Sequence, residues 1–430
     1  MSTQKLPVEF VNKYILLAAA VSGAAVGVAR VKWPLSLAGG FMALIAFLMA
    51  PEVLGFFIGG GLQLTGRTLE LGLSGLHFLN TGSFLFPLYC LLLFLLLKKR
   101  AGTLIPLLKC WEAWAALGLG LLMLLRLPGS LFAEYGAQKL KYYLANNMVS
   151  FAGPVLATAV WDLAGLHRFL KGLFLGGLAL TAYFWLSKAF LDLPFNAYAV
   201  LNFNPIGLGR LIGLFALLAV TGRMMPFPGP LRLSLAAAAG AAVVLLNARG
   251  PALALVAALL FGCLPAGGRF RPQAFLAVIS FCLVAFYIVS NYWFSTGFLS
   301  AGDSGRLQLY QAALNEFLQN PLLGAGTGSF AGLAPLPGVM YPHNLFLESA
   351  VEMGLPGLGL SLLLAFTPLA RLITRTKRSE DMALAGPLLV YCLVNAMISG
   401  DIPGNFPLWL SAGVAAALFM AEAEGRRCGC

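Results

Sequence analysis

The sequence predicts an all-α, polytopic membrane helix bundle with about 12 transmembrane helices. Three observations carry this expectation. Of the 430 residues, 60% are apolar and only 10% are charged, with a mean hydropathy of +0.86. A soluble domain carries roughly 25% charged and 45–50% apolar residues, so a soluble chain and a disordered one are both excluded. The apolar residues also run continuously for roughly 16–25 positions, the length a spanning helix needs, rather than alternating over the ~10-residue segments of a barrel. Finally, basic residues recur in every second connection, which is the phase of a chain crossing a membrane repeatedly.

Candidate spans lie at about 14–30, 34–50, 81–97, 103–125, 147–164, 168–190, 206–221, 231–247, 251–266, 272–290, 345–373, 383–400 and 405–421. The count is 12 or 13, because residues 51–80 are apolar but interrupted by Gly59-Gly60-Gly61, Arg67 and Glu70. That stretch fits a half-span or an interfacial helix. The whole chain, 1–430, reads as one integral-membrane domain.

The net charge is +12, from 28 Lys and Arg against 16 Asp and Glu. In a membrane protein this excess faces anionic lipid and sets topology, so nucleic-acid binding is not expected. The basic loops at Lys98-Lys99-Arg100, Arg168 and Lys171, Arg223 and Arg232, Arg269 and Arg271, Arg371 to Arg378, and Arg426-Arg427 are placed in the cytoplasm. Segments 126–146, 188–205, 247–251, 292–344 and 400–404 are then external, periplasmic in a bacterium, and the expected location is the inner membrane. Lys5 and Lys13 precede an apolar run that reads as a retained span. The seven cysteines show no zinc spacing.

The longest external loop, 292–344, holds an expected amphipathic helix over 306–319. Leu307, Tyr310, Leu314, Phe317 and Leu318 form its apolar stripe, and Asn320-Pro321 stops it. Such a helix lies on the membrane surface or caps the bundle.

Basic residues that break the inside rule carry the functional reading. Arg210, Arg249 and Arg306 all fall on the external side, and His343 sits at the external start of the 345–373 span. Singly, Arg210 and Arg306 also fit a snorkelling anchor and a solvated helix residue. Arg249 is different, because Asn247-Ala248-Arg249-Gly250-Pro251 is a tight turn that lets backbone approach a ligand. Together, guanidinium groups match phosphate oxygens in bidentate fashion, and a nearby imidazole takes a proton near neutral pH. A diphosphate leaving group and a hydroxyl nucleophile fit that set. Asn344, Glu348 and Glu352 recur every four residues and share one helix face, where they support the site or form a structural network. No Asp-x-Asp occurs and the external carboxylates are scattered, so no metal and no cofactor are expected.

His343-Asn344, Leu347-Glu348, Glu352, Gly354 and Gly357 resemble the signature of the O-antigen ligase and O-antigen polymerase family. Gly305-Arg306, Asn320-Pro321 and Gly324-Ala325-Gly326-Thr327-Gly328-Ser329-Phe330 resemble its preceding motif. Asn247-Ala248-Arg249-Gly250 resembles the family's Ser-Arg-Gly turn, with Asn and Ala where Ser is commoner. The resemblance implies a GT-C-type membrane glycosyltransferase. Its donor would be an undecaprenyl-diphosphate-linked glycan, its acceptor a hydroxyl on lipid A–core or on another glycan, and its chemistry inverting and metal-independent. Carried over, Arg249 and Arg306 engage the diphosphate and His343 acts as base or positions the acceptor. Arg210 is added on topology alone. A ligase, a repeat-unit polymerase and, third, a protein O-oligosaccharyltransferase fit this resemblance. A transporter of lipid-linked anions is the rival from another class, but it would place its charges near the midplane.

Overall fold

A computed structural model of the chain describes residues 51–61, 105–191, 204–221, 227–246, 248–263, 305–374 and 380–427. The expected spans 14–30, 34–50, 81–97 and 272–290 lie outside them. Every regular element among the described residues is helical. In chain order these are α1 (Pro51–Phe56), α2 (Trp111–Arg126), α3 (Ala133–Tyr142), α4 (Val149–Leu191), α5 (Pro205–Thr221), α6 (Gly229–Leu245), α7 (Arg249–Cys263), α8 (Arg306–Gln319), α9 (Phe330–Leu333), α10 (Leu345–Thr374), α11 (Glu380–Ile398) and α12 (Phe406–Arg427). Three apolar stretches are long enough to cross a membrane, at Ala133–Ala189, Leu345–Ile373 and Pro403–Ala423, and four shorter apolar helices accompany them. The expected spans at 206–221, 231–247, 251–266, 383–400 and 405–421 match α5, α6, α7, α11 and α12 to within a few residues.

The centre of the bundle is α12. Leu408 to Leu410 and Ala412 to Met420 are buried almost without exception, as expected of a helix that is apolar all round. It packs on α4, α11 and α10. At the periphery α2 divides into two faces. Trp114, Leu117, Leu121 and Leu124 are exposed, whereas Ala115, Ala116, Leu119 and Met123 are buried. An exposed apolar stripe at helical spacing faces lipid rather than water. Core polar groups are satisfied where they occur: Trp409 Nε1 donates to Tyr143 Oη at 3.1 Å, and Tyr143 donates to the Ala116 carbonyl.

Two sequence expectations need revision, and two gain detail. The turn expected at 165–167 is displaced to Trp161-Asp162, where Asp162 adopts a positive φ of 56°. Asp is among the few side chains that tolerate such a φ, and Arg168, expected in a loop, lies within the helix and donates to Glu52 at 3.0 Å. The segment 126–146 is not a plain connection: α3 runs through a π-helical stretch, Tyr143–Met148, directly into α4. Within residues 51–80, the described part is α1 and a π-helical turn packed on α4, so close that a Cβ at Gly172 would sit 1.9 Å from the Glu52 carbonyl oxygen. The helix at 306–319 has the expected bounds, and its packed face lies beside the apolar stripe read from the sequence. Leu309 and Ala313 are buried against Phe330 and Val351, while Leu307, Leu314 and Leu318 are exposed.

The span at 345–373 is broken. Gly354 has φ 67° and ψ −158°, which severs Leu345–Met353 from Leu355–Thr374. The twenty residues after the break extend about 30 Å, enough to cross the hydrocarbon alone. The nine before it are left as a separate short segment at one end of the bundle. The break is a designed feature of the packing. Ala325 N–H donates to the freed Val351 carbonyl at 2.7 Å, Gly326 N–H to Glu352 O at 3.0 Å, and Leu355 N–H to Pro321 O at 2.8 Å. A Cβ at Gly354 would meet the Leu322 backbone at 2.5 Å. Gly354→Ala is therefore expected to destabilise the protein by about 1–3 kcal/mol or more, read as a lowered thermal midpoint in detergent; an unchanged midpoint would contradict this packing.

Candidate active site

The severed segment carries His343 at its mouth. Asn344 is the N-cap of α10: its Oδ1 accepts from Phe346 N–H at 3.0 Å and Leu347 N–H at 3.1 Å. Its Nδ2 donates to the Met397 carbonyl at 2.9 Å, tying the segment to the end of α11. His343 precedes it with a left-handed φ of 58°, a conformation rare for any residue but Gly and a mark of functional positions. Its ring packs edge-on against Tyr341 with centroids 4.6 Å apart, and its Nδ1 is buried without a hydrogen-bond partner.

Charges around His343 set its protonation. Burial, then Arg306, then Arg210 push the imidazole below the ordinary histidine value, and Asp401 opposes them. The neutral ring, the form that accepts a proton, is favoured at neutral pH.

Arg306 opens α8 directly after Gly305, whose φ is 70°. Arg249 opens α7 and is exposed. These guanidinium groups lie close enough to repel each other. Arg306 thus acts electrostatically on both Arg249 and His343, and the three come from separate stretches of sequence. The first turn of α7 adds the positive end of its helix dipole. The cluster suits a multiply charged anion.

Arg210 is placed differently. It is buried, and its Nη atoms donate to the carbonyls of Asn395, Ser399 and Gly404. It thereby caps the C-terminal end of α11, and it reaches His343 through its field rather than by presenting a planar fork. A cavity of about 200 Å³ lies beside it, lined by Leu208, Leu211, Phe406 and Pro407 with Asn204.

Glu348 and Glu352 do share a face, and they share a partner. Lys139 Nζ lies 2.5 Å from Glu348 Oε1 and 2.6 Å from both Glu352 oxygens, and all three residues are buried. The sequence reading missed Lys139. The available signal was charge balance, since two carboxylates on one buried face require a cation. Asp401 was seen only as one of several scattered carboxylates. Its Oδ1 accepts from Gly404 N–H at 2.8 Å and its Oδ2 from Tyr135 Oη at 3.3 Å. Among the described residues no three His, Cys, Asp or Glu side chains converge as a metal site.

No curated protein matches the chain. Residues 234–362 match the family model described as O-antigen ligase. That stretch holds Arg249, Arg306, His343, Asn344, Glu348 and Glu352, and it excludes Lys139, Arg210 and Asp401. Two guanidinium groups, one imidazole and the helix segment that follows it thus fall inside the one stretch, 234–362, that is similar to the O-antigen ligase family.

Proposed function

We propose that the protein is a glycosyltransferase that moves a glycan from an undecaprenyl-diphosphate carrier to an acceptor hydroxyl at the periplasmic face of the bacterial inner membrane. The observation that supports this reading is the field of Arg306 acting on both Arg249 and His343, with all three inside the family-matched segment. In this reading the protein acts as a ligase with lipid A–core as acceptor, and a repeat-unit polymerase is the alternative.

In this reaction the acceptor oxygen forms a bond to the anomeric carbon as the bond from that carbon to the diphosphate breaks. Attack from the opposite face inverts the centre. The hydroxyl proton passes to neutral His343, and Asp401 stabilises the imidazolium that results. Negative charge grows on the departing diphosphate, where Arg249 and Arg306 stabilise it without a metal ion. Arg210 holds the end of α11 and tunes His343 from behind. Glu348 and Glu352 hold the His343 segment.

The test mixes purified protein in detergent with lipid-diphosphate glycan and candidate acceptors, with chelator and without ATP. Transfer to lipid A–core is expected; lipid movement in liposomes without any transfer would favour a transporter instead. His343→Ala is expected to lower the rate by about 10²–10⁴-fold while the thermal midpoint holds. Arg249→Lys should cost about 10²-fold, because a point charge does not reproduce the bidentate fork; a silent swap would move the diphosphate contact elsewhere.

The pH profile gives a further test. A base whose value lies below about 6.5 keeps its neutral form into mildly acidic solution, so the acid limb of kcat/KM falls below that pH. Asp401→Asn removes the carboxylate that favours the charged ring. The limb should then move to still lower pH, and an upward shift would refute the His343–Asp401 assignment.

A further inference from the structure

Lys139 stands outside the matched segment and outside the chemistry, yet it is among the most buried side chains of the protein, 1% exposed. A lysine at that depth persists only with compensating partners. Its partners, Glu348 and Glu352, sit on the short segment Leu345–Met353 that begins two residues after His343. The break at Gly354 means that the long part of α10 does not fix where this segment sits. Its place depends on the Asn344–Met397 bond, the Ala325 and Gly326 bonds to its carbonyls, and Lys139.

One turn earlier on α3, at i−4, stands Tyr135. Its hydroxyl donates to Asp401, whose carboxylate acts on His343, and its ring centroid lies 5.5 Å from Lys139 Nζ. A single face of α3 therefore bonds both the segment that follows His343 and the carboxylate whose field acts on it. We propose that the Tyr135–Lys139 face of α3 is the positioning element of the proton-accepting site, with Lys139 fixing the His343 segment and Tyr135 fixing Asp401. This rests on the functional reading above, in which His343 is the base. Neither residue needs to touch the substrate.

A mere fold staple makes a different prediction. Replacing a buried ion triad with apolar side chains of similar volume is often neutral or stabilising, whereas a base displaced by about 1 Å loses on the order of 10²-fold in rate. The test uses the full chain in detergent. Lys139→Met alone leaves two uncompensated carboxylates and should lower both thermal midpoint and rate. The triple variant Lys139→Met/Glu348→Met/Glu352→Met should regain the midpoint while kcat stays roughly 10–100-fold low and donor KM stays within about twofold. Tyr135→Phe should keep the fold, lower kcat and displace the acid limb of the pH profile.

A triple variant with wild-type midpoint and wild-type kcat overturns the proposal. If the triple variant does not fold, Tyr135→Phe decides alone, and an unchanged kcat with an unchanged acid limb overturns it. His343→Ala, measured alongside, separates the failures. Activity in that variant defeats the base assignment and this proposal with it. Its inactivity, combined with wild-type behaviour of the triple variant and of Tyr135→Phe, defeats only the positioning role.

Discussion

A helix in a membrane must satisfy its backbone polar groups internally, and α10 departs from that rule at Gly354. The departure is tolerated because another piece of backbone completes it. The glycine-rich loop 324–328 donates to the carbonyls that the break frees, and Pro321 accepts from the first amide beyond it. The loop is pinned in turn to the end of α2, through Thr327 Oγ1 to the Met123 carbonyl at 2.8 Å and Arg126 to the Gly324 carbonyl at 3.0 Å. Two consequences follow. The roof formed by α8 and the loop is docked onto the bundle by backbone hydrogen bonds rather than by apolar contact alone. The nine residues that follow His343-Asn344 become a separate unit, aimed by its contacts rather than by the axis of the spanning helix.

Electrostatics explains why such a unit is needed. Arg249 and Arg306 repel each other, and Arg306 and Arg210 both disfavour an imidazolium at His343. An arrangement of this kind is costly when empty and favourable when an anion enters. The three arginines divide the work by their surroundings. Arg210 is buried with its Nη atoms on carbonyls, so it is a scaffold cation; Arg249 is exposed at a helix N-terminus.

Much of the fold was legible in the sequence, and the places where it was not share a physical cause. The bounds of α8 were readable because Gly305 and Asn320-Pro321 are local signals. Its buried face was not. In a membrane protein an apolar stripe fits lipid as well as it fits the core, so Leu307, Leu314 and Leu318 mark an outer surface, and the packing runs through Leu309 and Ala313. The turn at Trp161-Asp162 escaped because a single Asp among apolar residues gives a weaker signal than the basic pair Arg168 and Lys171 downstream. Arg249, Arg306 and His343 were singled out by their residue type and their expected side of the membrane. The partner of Glu348 was not, since Lys139 lies 209 residues away in sequence and in a segment with the composition of an ordinary polar connection.

That distance also bears on how the site is assembled. The segment 234–362 contributes the groups that meet charge: two guanidinium groups and an imidazole. The groups that fix their geometry come from both sides of it. Lys139 and Tyr135 precede it on α3, and Met397 and Asp401 follow it around the end of α11. Within the matched stretch the loop 324–328 holds the short segment that follows His343, but the cation that pairs its carboxylates comes from outside. Under the proposed chemistry, substitutions far from any motif therefore act through the aim of His343.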